Sequence, residues 1–413
     1  MQTTLAEAFR NTPEGEVAER ILRSCVHCGF CLATCPTYQV LGNELDSPRG
    51  RIYLMKQVLE GATPTAKTQL HLDRCLTCRN CETTCPSGVE YGKLLDIGRH
   101  IVEKKVGRGI TESAARAALK TGLGTPPLFN TALKLGQRVR GLMPGFLQAR
   151  IPAAETAGDR PAPRHARRML VLEGCVQPAL KPNINAATAR VLDRLGISLS
   201  AAPEAGCCGA LAHHLNDIDA GLASARRNID AWLPHLDAGA EAIVMTASGC
   251  GVMVKDYGWL LRHDPAYAEK AARVSAATKD VSEILLAERG ALARLKPHAP
   301  RLPAKRIAYH PPCTLQHGQK LTGGVEALLA DAGFELVPVA EKHLCCGAAG
   351  TYSILQPDIA GQLKTRKLDN LTAGAPELIV TANIGCLTHL QSGTALPVKH
   401  WVELLDAILE APM

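Results

Sequence analysis

Two identical cysteine runs constrain this chain more than any other feature. Cys25, Cys28, Cys31 and Cys35 are followed by Pro36. Cys75, Cys78, Cys81 and Cys85 are followed by Pro86. Both runs read C-x2-C-x2-C-x3-C-P. The gaps of two let one tight coil aim three thiols at a single centre. The longer gap carries the fourth thiol away, and the proline then turns the backbone aside.

Bacterial two-cluster ferredoxins hold [4Fe–4S] clusters with this run, and their fourth cysteine ligates the other cluster. The expected sets are therefore Cys25, Cys28, Cys31 and Cys85 for one cluster, and Cys75, Cys78, Cys81 and Cys35 for the second. Zinc is the rival. Its structural sites close with two CxxC pairs or with histidines, and a third cysteine at the same gap does not suit them. A disulfide framework fits less well still. The chain opens MQTTLAEAFRNTPEGEVAER, without a basic segment and apolar core, so no secretory signal is expected. Sixteen cysteines in 413 residues then imply a reducing compartment.

The length allows roughly three domains. Apolar residues at 46% permit an ordinary buried core. Aromatics at 4% leave few platforms for stacking bases, so no nucleic-acid partner is expected. The net charge is +7 without a basic stripe. It reads as a solvated surface, with a docking face for an acidic partner or an anionic membrane as the other reading. No run of eighteen apolar residues occurs, so no transmembrane helix is expected. The expected location is cytoplasmic, with membrane attachment, if any, through the complex.

Residues 1–24 read as a helical lead, with Ala6, Phe9, Val17, Ile21 and Leu22 loosely on one face. His27, between two ligands, is a neighbour of the cluster or a surface histidine. In DSPRGRIYLMKQVLEG, Ser47 is the expected N-cap, Pro48 the first helical residue and Gly61 the stop. Ile52, Met55 and Leu59 face inward. Arg49 and Arg51 oppose the helix dipole, which asks for a nearby negative charge, either a cluster or a carboxylate. Helices are expected over 64–74 and 91–104. The module is thus all-helical. Helices are also expected over 114–119 and 133–142. Residues 151–168, rich in Pro, Ala and Arg, read as a linker. Its Arg164, Arg167 and Arg168 are solvated in that reading.

The remainder repeats itself. MLVLEGC ends at Cys175 and RIAYHPPC at Cys313. A helix follows each, then a short strand and a vicinal pair, Cys207–Cys208 and Cys345–Cys346. A second strand leads to Cys250 and to Cys386. The three offsets are 138, 138 and 136 residues. This is a duplicated unit of alternating strand and helix, hence α/β with a mostly parallel sheet. Its cysteines fall at carboxyl ends of strands or just past them. Three readings of Cys175, Cys207, Cys208, Cys250, Cys313, Cys345, Cys346 and Cys386 stand open. They hold a further iron–sulfur cluster, they cycle between thiol and disulfide, or they are inert core residues. A CxxC ending is missing, because Met253 and His389 stand where its second cysteine would be. The fold class is α+β multidomain: a helical two-cluster module over 1–104, a helical connector and linker over 105–168, and the two copies over 169–300 and 301–413.

Together these stretches resemble the iron–sulfur subunits of bacterial glycolate oxidases. The resemblance rests on CVHCGFCLATCPTY (25–38), DSPRGRIYLMKQVLEG (46–61), HLDRCLTCRNCETTCPSGV (71–89), ASGCG (247–251), LCCGAAGTY (344–352) and VTANIGC (380–386). It spans nearly the whole chain and is weakest over 105–165. The same architecture occurs in iron–sulfur subunits of anaerobic glycerol-3-phosphate dehydrogenase and of heterodisulfide-reductase-like enzymes. The resemblance implies two [4Fe–4S] clusters on the eight N-terminal cysteines, flavin-containing partner subunits that oxidise glycolate to glyoxylate, and a quinone as acceptor. In the heterodisulfide-reductase-like relatives the cysteine-rich domains hold non-cubane clusters whose ligands include a CxxC ending, which this chain lacks. No GxGxxG follows a strand, so neither FAD nor NAD is expected on this chain, and glycolate oxidation by the isolated chain is not expected.

Overall fold

The computed structural model describes residues 1–144, 151–295 and 304–409. In the N-terminal third the regular elements among the described residues are all helices, joined by coils. Thr12 and Ser47 cap helices Pro13–Ser24 and Pro48–Leu59 through their hydroxyls, each with proline in the first turn. Thr65 and Thr68 form a reciprocal capping box on helix Ala66–Asp73. The fourth long helix is Tyr91–Val106. Ile21, Leu22, Met55, Leu59, Leu94 and Leu95 from these helices are almost wholly buried together. Gly98 permits the closest crossing. A Cβ there would lie 2.4 Å from the Met55 sulfur.

Helices Ile110–Gly124 and Pro126–Val139 form the connector. They run longer than the expected 114–119 and 133–142, because Pro126 and Pro127 start the second helix rather than interrupt it. The expected linker loses its last two residues to a strand. Arg167 opens the strand Arg167–Val171 and pairs with Glu241 and Glu288, and Arg164 binds Asp193.

Each copy of the repeat is a four-stranded, all-parallel sheet. In the first copy β1 (Arg167–Val171), β2 (Ile197–Ala201), β3 (Ile243–Met245) and β4 (Thr278–Asp280) stand in the order β2-β1-β3-β4. In the second, β5 (Arg306–His310), β6 (Glu335–Leu336), β7 (Leu378–Thr381) and β8 (Val398–His400) stand in the order β6-β5-β7-β8. The central strands are apolar because helices cover both faces. Strands β4 and β8 carry no such signal. TKD and VKH are three residues long with a lysine in the middle.

The copies pack reciprocally. Helix Asn183–Arg194 of the first meets the last described helix of the second, Trp401–Leu409. Helix Val281–Ala287, at the end of the first, meets Gly324–Asp331, the first long helix of the second. This is an internal two-fold arrangement, and one apolar cluster runs through both sheets. Asp406 locks one side, accepting from Arg190 at 2.5 Å and Arg194 at 2.9 Å.

Candidate iron–sulfur site

The two N-terminal cysteine runs wind identically. His27 and Gly29 take left-handed φ of 60° and 89°, and Thr77 and Arg79 take 52° and 57° at the matching places. A left-handed β-branched threonine is strained. The left-handed conformation recurs at the same position in both coils, on His27 and on Thr77, which marks a geometry the site requires. Such alternation turns successive backbone N–H groups toward one concave side, a natural seat for an anionic group.

Two cavities lie inside these coils. One is lined by Cys25, Cys28, Cys31, Cys81 and Cys85. The other is lined by Cys35, Cys75, Cys78 and Cys81. Each brings together three thiols of one coil and the last thiol of the other, which is compatible with the crossed grouping expected from the spacing, and Cys81 lines both. Burial pushes the Cys31 thiol up to about 11, and neighbouring Cys25 and Cys35 add to the shift. Burial also holds Cys78 and Cys81 far above the ordinary thiol range. Buried thiols crowded this way stay protonated unless a group that brings positive charge takes them as thiolates. The donor set fits iron–sulfur clusters.

The two cavities differ in surroundings. Cys28 is exposed, and Val26 and Phe30 beside it are 68% and 62% exposed. The second cavity is interior. Arg51, fully buried, donates to the His71 carbonyl at 2.6 Å, to Thr37 Oγ1 at 3.0 Å and to Asp46 at 3.4 Å. Asp46 also meets His71 Nδ1 and Arg74, both at 3.0 Å. The Thr37 hydroxyl lies 3.3 Å from Cys35 Sγ. Tyr91 donates its hydroxyl to Cys75 Sγ at 3.6 Å. The charges sought for the two arginines are carboxylates, Glu44 for Arg49 and Asp46 for Arg51, with the thiols Cys35 and Cys75 also near Arg51. The sequence reading missed Tyr91 and the Asp46–His71 pair. DSPRGR supplied the only hint.

Both copies of the repeat bear on the second coil. Arg79 reaches Asp256 of the first copy at 2.6 Å. Asn80 donates to the Thr34 carbonyl of the first coil at 2.9 Å and to the His343 carbonyl of the second copy at 3.2 Å. Thr83 meets His317 at 2.9 Å. Cys78 shares an apolar cluster with Cys313 and Cys345, so the second cavity backs onto the second copy's thiols.

Within each copy the four cysteines converge. Cys175, Cys207, Cys208 and Cys250 form a chain of sulfur contacts, and hydrogen bonding from Cys175 and Cys208 lowers the Cys207 thiol below the ordinary range. Cys313 lies 3.7 Å from Cys345, and Cys345, Cys346 and Cys386 continue that chain. Met253 is buried in the apolar core. His389 directs Nε2 at the Ala360 carbonyl at 3.4 Å. A histidine the sequence reading did not single out, His310, stands instead beside Cys346 and Cys386.

Known proteins share this arrangement. A family model for a 4Fe–4S dicluster domain matches residues 21–89, and one for a cysteine-rich domain matches 169–255 and 307–391. The chain is 56% identical over 412 residues to the glycolate oxidase iron–sulfur subunit of Escherichia coli, covering 99% of this chain and all of that one. It is 31% identical over 436 residues to a probable glycolate oxidase iron–sulfur subunit of Bacillus subtilis, with 96% of each covered. Lactate utilization protein A of Geobacillus thermodenitrificans is 27% identical over 241 residues, 56% of this chain and 95% of that one. No helix among the described residues is long and apolar enough to cross a membrane. Cysteine coils, duplicated cysteine-rich units and full-length identity together give one conclusion: the chain belongs to the family of glycolate oxidase iron–sulfur subunits, components of an oxidoreductase complex.

Proposed function

We propose that this chain is the electron-transfer subunit that takes electrons from flavin-containing partners oxidising glycolate to glyoxylate and delivers them to an acceptor, a quinone. The observation that carries this reading is the crossed sorting of eight thiols into two cavities. Cys25, Cys28, Cys31 and Cys85 hold one [4Fe–4S] cluster, and Cys35, Cys75, Cys78 and Cys81 hold the other. When bound, these clusters supply one-electron redox chemistry. The chain's own residues set the conditions. Exposed Cys28, with Val26 and Phe30, gives the first site a solvent-facing, apolar rim for docking a redox partner. Arg51 and Tyr91 place positive charge and a hydrogen bond beside Cys35 and Cys75 and exclude water from the second site.

The proposed division is 1–104 for the two-cluster module, 105–168 for the connector, and 169–300 and 301–413 for the cysteine-rich copies. In the first copy Cys175, Cys207, Cys208 and Cys250 form an all-thiol set, which supports a further iron–sulfur centre there. In the second, Cys313, Cys345, Cys346 and Cys386 are joined by a nitrogen donor. The proposed location is the cytoplasm, peripheral to the membrane through the complex.

Iron and acid-labile sulfide on anaerobically purified protein, with EPR of the reduced form, test the reading. Two cubanes require roughly eight irons per chain and a coupled two-cluster spectrum. Roughly twelve add the first-copy centre. Zinc in place of iron, with no acid-labile sulfide on the chain at all, overturns the proposal.

A further inference from the structure

His310 closes β5 with its side chain wholly inside the second copy, 1% exposed. Neither ring nitrogen has a hydrogen-bond partner among the described residues. An unpaired buried polar group is costly, and a buried imidazole with both nitrogens unpaired calls for an explanation. One donor atom from each of His310, Cys346 and Cys386 lies within 4.8 Å of the other two. The fold makes this meeting. Cys346 is the second of the vicinal pair, and Cys386 sits in the first turn of helix Ile384–Gln391 after β7. All three lie at or beyond carboxyl ends of parallel strands, where such sheets build their sites.

A second observation points the same way. Thr381 is the register partner of His310 on β7, so their side chains stand on the same face of the sheet. Its hydroxyl is also buried without a partner. His400, next along the same row on β8, is by contrast fully satisfied. Its Nε2 donates to the Thr246 carbonyl at 2.9 Å, and its Nδ1 accepts from the Val402 amide at 3.3 Å. Other buried atoms of the second copy also lack a partner, Tyr309 Oη and Trp401 Nε1 among them, but His310 and Thr381 are the ones that stand in the row beside the two thiols. The first copy lacks the nitrogen. Its residue three before Cys175 is Leu172, which is buried in apolar core.

We propose that His310, Cys346 and Cys386 form a mononuclear site for a borderline-soft divalent cation of the zinc class, present in the second copy and absent from the first. One imidazole and two thiolates are the donors such ions prefer. A divalent ion with two thiolates is neutral, which suits burial. The charged side chain facing these thiols is Lys367, held by the Glu341 carbonyl at 2.7 Å. Three protein ligands leave a fourth position for water or a bound atom, the arrangement of an open zinc site. The inference goes beyond the electron-transfer reading and uses none of the eight N-terminal cysteines.

The test measures metals and sulfide on the anaerobically purified full chain, with X-ray absorption at the zinc edge. One equivalent of added zinc loads any empty site. His310→Leu is the key variant, because it installs the residue that the first copy already tolerates at this place. His389→Ala is the control. The expected wild-type result is one tightly held zinc per chain unmatched by sulfide, with nitrogen and two sulfurs as neighbours. His310→Leu is expected to weaken zinc binding by more than the about 10–100-fold that even an outer partner of a ligand costs. His389→Ala leaves it unchanged, and the reduced EPR spectrum is the same in all three. Zinc retention equal in His310→Leu and wild type overturns the site. Loss of iron and sulfide together in His310→Leu also overturns it, because His310 would then serve a cluster. Failure of the electron-transfer reading appears separately, as a missing two-cluster EPR signal in the wild type.

Discussion

Single residues around the second cavity decide how an electron would be held there. The Tyr91 hydroxyl approaches Cys75 Sγ at 3.6 Å from a ring that is 3% exposed. A hydrogen bond to a ligating sulfur favours the more negative, reduced state, so its removal lowers the potential. Tyr91→Phe keeps the packing and deletes only the donor. It is expected to lower the midpoint of one cluster by about 20–40 mV, or about 0.5–1 kcal/mol, and leave the other alone. A redox titration followed by EPR reads both. Equal shifts, or none, would remove Tyr91 from the second site. Arg51 belongs to the same scale. Its guanidinium has no solvent contact and three partners, and without it Asp46 would keep only His71 and Arg74.

At the scale of elements, the last strand of the first copy ends in a titratable cap. Asp280 closes β4 and caps helix Val281–Ala287, accepting from the Ser282 amide at 2.9 Å and its hydroxyl at 2.6 Å. Burial raises its carboxyl to about 6. A group raised in the folded state stabilises the fold fully below its unfolded value, near 4, and loses that contribution as pH rises through about 6. Asp280→Asn keeps an acceptor without the charge. Relative to the variant, the wild type is expected to lose up to about 3 kcal/mol between pH 4 and 7. Thermal unfolding of both proteins across that range checks it. Parallel curves would show that Asp280 does not titrate there. The strand was not legible in TKDVSEILLA, because three residues with a central lysine lack the alternation that marks strands, whereas the cap has a local signal, Asp280 followed three residues later by Glu283 as a capping box. The helix Pro48–Leu59 was legible, because its cap, its proline and its inward residues are local signals.

For the whole molecule, the second coil is a junction. Asn80, 2% exposed, ties the first coil to the second copy through the Thr34 and His343 carbonyls. Arg79 ties the same coil to the first copy at Asp256. Asn80→Ala strands two carbonyls, at about 2 kcal/mol. The cluster held by the second coil is expected to bleach about tenfold faster in chelator than in wild type, with the first cluster less affected. Equal bleaching of both would deny the junction. The sequence by itself determined the cluster-forming coils, the duplication and the α/β character of the repeat, because these rest on spacing and local pattern. The longer third gap also led to the expectation of crossed thiols, and the cavity linings are compatible with it. Only the tertiary structure decided which groups surround the sulfurs. Arg51 and Tyr91 lie 24 and 16 residues from Cys75 along the chain, and His310 lies 36 residues from Cys346. Their partners are chosen by helix packing and strand register. No local pattern records a contact made when His310 and Cys386 are brought together across neighbouring strands. That is a property of the folded sheet, and the sequence states only the residue types available to it.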